Sequence, residues 1–144
     1  MREDKIRQIE VDDEKIREIE TIMLYWERDF RRGLLQLMIL MLIRLRTEEA
    51  HGYGLIKMIR ETSVNIKAGT IYPLLKRMEQ DRLIESFLAD DPDQPGQPRR
   101  IYTVTSLGEE MIDYMIDTYE TYDSWVKRWY HEIIDSRTRK RIEK

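Results

Sequence analysis

Apolar and polar positions along this chain follow periods that change at definite points. Ile16, Ile19, Met23, Trp26 and Phe30 are spaced by three, four, three and four residues, which places them on one stripe of a helix. Ile6 and Ile9 would extend the stripe backward, but Asp13 interrupts it. The pattern predicts a main helix from about Asp13 to Arg31, with frayed or separately folded residues before it. Gly33 marks an expected break. Leu34 to Arg46 is apolar almost all round, as in a helix at the centre of a core. A turn over Thr47 to Gly54 leads into Leu55-Ile56-Lys57-Met58-Ile59-Arg60, whose apolar residues again fall at helical spacing. Thr62 to Lys67 reads as a short polar connection. The helix predicted to begin near Ala68 carries Ile71, Leu74, Leu75 and Met78 on one side and leaves Thr70, Tyr72, Lys76 and Arg77 to its other faces. Pro73 is read as lying in the first turns, where its missing N–H costs least.

From Leu83 to Leu88 the period drops to two, as in a half-buried strand, and Arg99 to Val104 forms a second strand with β-branched and aromatic residues. Between them, Asp90 to Pro98 holds three of the four prolines and reads as a flexible hairpin tip. After Ser106 or Leu107 the helical period returns. Ile112, Met115, Tyr119, Tyr122, Val126, Trp129 and Ile133 form a seam sustained over three heptads, predicting one long helix to Ser136 with Glu109 and Glu110 near its positive end. Arg137, Arg139, Lys140 and Arg141 read as a solvated tail. The expected fold is mainly α with a small β-hairpin. It comprises an N-terminal helical extension (1–32), a winged helix-turn-helix (33–105), and a long C-terminal dimerisation helix with a basic tail (106–144). A short helix followed by a hairpin with paired arginines is the order that a winged-helix nucleic-acid reader needs.

Composition narrows this picture. A chain of 144 residues supports one core. It contains no cysteine, which excludes disulfides and cysteine-ligated metal and fits the cytoplasm. Met1 to Glu20 lacks the basic-then-apolar order of a signal peptide. Leu34 to Ile43 is shorter than the roughly 18 to 20 residues of a membrane span, so no membrane partner is expected. The net charge of −3 conceals an asymmetry of −4 over residues 1–30, +3 over 31–104 and −2 over 105–144. The hairpin-bearing segment is thus the basic one, and binding depends on the local field facing the phosphates. A single seam on a 30-residue helix must be covered. The N-terminal stripe of a second copy (Ile19, Met23, Trp26) or that copy's own terminal helix would cover it, which makes a two-fold homodimer the economical answer.

Three motifs carry a resemblance. His51-Gly52-Tyr53 precedes an amphipathic helix, Gly69-Thr70-Ile71-Tyr72-Pro73-Leu74-Leu75 opens the expected recognition helix, and Gly96-Gln97-Pro98-Arg99-Arg100 with Tyr102, Thr105 and Gly108 closes the wing. The segment from Gly33 to Gly108 resembles the PadR family of winged-helix transcriptional regulators, and residues 106 to 136 look like the single dimerising helix of its short-tailed branch. The resemblance implies a sequence-specific DNA-binding regulator, a repressor acting as a homodimer on a pseudo-palindromic operator. It also implies relief by a small aromatic or hydrophobic effector. Where the family usually has glycine after the recognition helix, this chain has Arg82. Arginine there implies either about 1 kcal/mol of strain in a left-handed cap or a different helix end.

On this reading Lys67, Thr70, Tyr72, Lys76 and Arg77 are the candidate DNA contacts on the helix, with Arg99 and Arg100 on the wing. The alternatives are a plain solvent face, a core role for Tyr72, and a single outward arginine, because neighbouring strand residues point to opposite sheet faces. Tyr119, Tyr122, Trp125 and Trp129 either line an effector cavity, as the resemblance implies, or pack as seam, with Trp125 one residue off it. Enzyme activity finds no support. His51 and His131 lie far apart in sequence with no carboxylate spacing that suggests a metal or a relay, the adjacent acidic pairs do not converge, and neither a cofactor nor a metal is expected. A reading from another class is a protein-interaction module that recruits a partner through its long helices, with the acidic N-terminal segment in keeping with it.

Overall fold

The computed structural model describes residues 2–62 and 66–143, with side chains described from Asp12 onward except at Glu49. The backward stripe through Ile6 and Ile9, and the middle of the polar connection after Thr62, lie outside what is described. In chain order the elements are α1 (Arg2–Leu45), a 3₁₀ turn (Thr47–Glu49), α2 (Gly52–Glu61), α3 (Ala68–Gln80), β1 (Ile84–Asp91), β2 (Gln94–Val104) and α4 (Ser106–Glu143). This is the mainly α winged helix-turn-helix that the sequence predicts, with one antiparallel hairpin.

The predicted break at Gly33 is absent, and α1 is one continuous helix. Glycine inside a helix costs about 1 kcal/mol, which flanking arginines and leucines of good helix propensity offset. The division of the chain into two compact units falls within α1, after Met38. In the first unit Ile16, Ile19, Met23, Trp26 and Phe30 are exposed, Trp26 and Phe30 stack with centroids 5.1 Å apart, and Leu35 and Leu37 are buried.

The second unit, from Ile39 onward, has its own core. Ile39, Leu40, Ile43, Leu55, Ile59, Ile71, Leu75, Met78 and Ile84 are fully buried, so the last turns of α1, the inner faces of α2 and α3, and the start of the hairpin close one apolar interior. Burial of this kind contributes about 25 cal/mol per Å² of apolar surface. His51 caps α2, its Nδ1 accepting the Gly54 N–H at 3.2 Å. Just before it, the Tyr102 N–H donates to the Ala50 carbonyl at 2.8 Å and His51 bridges Ile101. The segment read as a turn therefore makes one isolated antiparallel bridge to β2.

Pro73 lies in the second turn of α3, among the first turns as expected but past the N–H groups that have no partner within the helix. It removes the bond that an N–H would make to the Gly69 carbonyl. The end of α3 is a full Schellman cap: Arg82 N–H donates to Glu79 O at 3.1 Å and Leu83 N–H to Met78 O at 2.9 Å, with Leu83 and Met78 both buried. Arg82 has φ +62°, so of the two alternatives the chain keeps the left-handed cap and carries its strain on an arginine.

The hairpin is longer than predicted. Asp90 to Pro98 is not a loose tip, because β1 continues to Asp91, pairs with Gln94, and turns through Pro92-Asp93 with the Asp93 N–H on Asp91 Oδ1 at 3.0 Å. Ala89 pairs with Arg99, which leaves the residues between Gln94 and Arg99 as extra length on β2. Pro95 and Pro98 fall within that bulge, where no ladder donor is required, and Gly96 supplies φ +86°. The basic C-terminal residues are no tail either. Nothing from Arg137 to Glu143 is a helix breaker, and α4 continues through them.

Thr105 joins the hairpin to α4. Its hydroxyl donates to the Arg82 carbonyl at 2.6 Å and accepts the Gly108 N–H at 3.0 Å as an N-cap. A Cβ at Gly108 would overlap the Leu83 carbonyl oxygen and Val104, so only glycine allows α4 to start this close to the hairpin base. Glu109 completes the junction with an exposed ion pair to Arg44.

Candidate nucleic-acid interface

With Ile71, Leu75 and Met78 turned into the core, the helical period fixes what α3 presents outward. Thr70, Lys76 and Arg77 are exposed, and Lys67 is exposed at the N-cap position, its side chain making no capping hydrogen bond. Tyr72 occupies a flank. It is half exposed, and its ring lies so close to α2 that a Cβ at Gly52 would overlap it. The glycine of His51-Gly52-Tyr53 is therefore a spacer that lets α3 approach α2, and Tyr72 packs there while half of it stays exposed.

The paired wing arginines face opposite sides of the hairpin. Arg100 sits opposite Leu88, is exposed, and donates from Nη1 to Ser86 Oγ at 2.8 Å. Arg99 sits opposite Ala89 and turns into a cleft of about 610 Å³ between α2 and the hairpin tip, lined also by Tyr53, Lys57, Glu61 and Asp91. There its Nη1 lies 3.8 Å from Asp91 Oδ1, and its buried Nε has no hydrogen-bond partner. A carboxylate neighbour and half-burial withdraw Arg99 from the surface and leave Arg100 as the open cation of the wing.

Two residues that the sequence reading did not single out complete the face. Glu79, on the same flank of α3 as Tyr72, accepts a short hydrogen bond from the Ser86 hydroxyl. The Tyr102 phenol beside them is held above its ordinary pKa, first by burial and then by the Glu79 charge, with Arg100 opposing. Ser86 would have needed the strand register to be found, since only the Ser86–Tyr102 and Leu88–Arg100 pairing brings it beside Arg100.

The residues expected at a dimer interface fall on α4 and on α1. Ile112 and Met115 are half-buried, while Tyr119, Tyr122, Val126, Trp129 and Ile133 are exposed along α4, as are Ile19, Met23 and Trp26 on α1. In the proposed effector set, the Trp125 and Trp129 rings are 5.5 Å apart and Arg128 lies over Trp125 at 5.3 Å. Among the described residues no group of three or more His, Cys, Asp or Glu could hold a metal, and no helix is long and apolar enough to cross a membrane.

Comparison with known proteins agrees with the geometry. A protein of Lysinibacillus sphaericus described only as uncharacterized is 32% identical over 91 residues, covering 61% of this chain and 80% of that protein. The crystal structure of a PadR family transcriptional regulator from Eggerthella lenta superposes with a TM-score of 0.67 at 26% identity, covering 76% of this chain and 93% of that one. A PadR-like transcriptional regulator from Bacillus cereus gives 0.60 at 29% identity, covering 69% and 94%. The profile of the transcriptional regulator PadR-like family matches residues 39–113, from the last turns of α1 to the first turns of α4. With this match over half its length and the winged helix built as described, the chain belongs to the PadR-like family of DNA-binding transcriptional regulators, not to a family of enzymes.

Proposed function

We propose that this protein is a cytoplasmic homodimeric repressor that reads a pseudo-palindromic operator. The observation that carries the DNA-facing part is the outward side of α3, where Thr70, Lys76 and Arg77 stand exposed, together with the exposed Arg100 of the wing. Two such helices would enter successive major grooves about 34 Å apart, with the wings on the flanking backbone. The dimer part is supported by the exposed apolar seam of α4, from Tyr119 to Ile133, and the stripe of α1 through Ile19, Met23 and Trp26, which a second copy would cover. A flat hydrophobic effector held among Tyr119, Tyr122, Trp125 and Trp129 would relieve repression by altering that pairing.

The test is a salt titration of binding to mixed genomic duplex fragments, with the bound fraction sequenced. Enrichment of one inverted repeat, with affinity falling steeply as salt rises, is expected. Weak binding without enrichment, together with a protein that co-purifies through α1 and α4, would replace this reading with that of a protein-interaction module.

A further inference from the structure

Between the recognition helix and the wing runs a line of hydrogen bonds that crosses three elements. Glu79 of α3 accepts from the Ser86 hydroxyl of β1, and the Ser86 oxygen accepts from Nη1 of Arg100 on β2 at 2.8 Å. A serine hydroxyl has one proton and two lone pairs. With the proton committed to Glu79, the lone pairs are turned toward the guanidinium. A guanidinium has five N–H donors, so the bond to Ser86 leaves others free for an outside acceptor. An untethered arginine surrenders rotamer entropy when it is fixed on a ligand, a cost that a prior tether largely removes.

We propose that Glu79 and Ser86 are positioning residues that hold the Arg100 guanidinium at a fixed offset from α3, so that the wing grips one backbone phosphate in register with the bases the recognition helix faces. This rests on the DNA-binding reading of the wing given above. Glu79 itself is thereby withdrawn from base contact. Its carboxylate is occupied by Ser86 and lies beside Arg100 and the buried Tyr102 phenol. A network of this kind acts as a unit, so its members are expected to be non-additive.

Ser86 is the informative position because Ser86→Ala changes no charge. The experiment measures affinity for a mixed-sequence genomic duplex across a salt series for the wild type, Ser86→Ala, Arg100→Ala, the double variant and Ser86→Thr. Arg100→Ala is expected to reduce the log–log salt slope by about 0.9, the value of one phosphate contact. Ser86→Ala should weaken binding about fivefold, the worth of one net hydrogen bond of ordinary strength. It should have no further effect once Arg100 is alanine, and Ser86→Thr, which keeps the hydroxyl, should restore binding. A role of Ser86 in folding alone would lower affinity equally in both backgrounds, and that additive result would overturn the positioning role. If Arg100→Ala leaves affinity and slope unchanged while the wild type still binds with steep salt dependence, the proposal falls and the reading of α3 as the DNA helix stands. Wild-type binding that does not change with salt would overturn both.

Discussion

Ile71, Leu75 and Met78 on α3 and Tyr119, Tyr122 and Val126 on α4 obey the same spacing of threes and fours, yet the first set is wholly buried and the second is 44%, 70% and 61% exposed. The spacing states that one face of a helix is apolar. It does not state where the cover comes from. For α3 the cover lies in the same chain, supplied by the turns of the second unit's core, whereas α4 keeps its aromatic residues in the open over most of its length. It is on this exposed stripe that the proposed second copy would pack. The same chain thus holds one seam already closed by folding and one that folding alone leaves open.

This contrast can be broken at either seam. Leu40→Ala, in the closed core, is expected to lower unfolding free energy by about 3 kcal/mol through lost transfer energy and a residual cavity. Urea denaturation measures it, and a loss under about 1 kcal/mol would mean that the second unit is not the tightly packed core described. At the open seam Tyr122→Asp should weaken self-association about a hundredfold by placing a charge where a partner must desolvate it. Sedimentation should then report the monomer mass, and an undiminished dimer would remove Tyr122 from the interface. Between the two seams lies the end of α3. Relieving the left-handed strain there by Arg82→Gly should stabilise the winged helix by about 1 kcal/mol, read as a raised denaturation midpoint, and no gain would show that the arginine makes a compensating contact. The smallest effect belongs to the outer face of α3. Lys76→Ala should leave stability unchanged and reduce the salt slope of DNA binding by about 0.9, and an unaltered slope would strike Lys76 from the phosphate contacts.

How much of this was legible in the sequence follows from which interactions are local. The α3 and α4 faces could be read because helical periodicity needs only neighbours within a turn or two. The cap on α3 was legible as a pair of alternatives, since a left-handed position after a helix is itself a local event. The length of α4 exceeds the sequence expectation because a run of charges reads as a solvated tail, although Arg137 to Arg141 contain no glycine or proline to stop a helix. Prolines misled in the hairpin for the converse reason: Pro95 and Pro98 exclude a ladder bond, not a bulged strand. The contacts that shape the candidate interface were beyond reach. Tyr72 against Gly52, Ser86 between Glu79 and Arg100, and Arg99 against Asp91 each depend on a register or a helix crossing that the spacing within one segment does not encode.

The shared hydroxyl of Thr105 has a mechanical consequence. It clasps the Arg82 carbonyl just beyond the recognition helix and the Gly108 N–H in the first turn of α4, while Gly108 presses against Leu83 with no side chain to cushion it. These contacts tie the first turn of α4 to the residues that end α3. In the proposed two-fold pair the α4 helices would be the beam of a caliper, and the angle between them would set the gap between its two reading jaws.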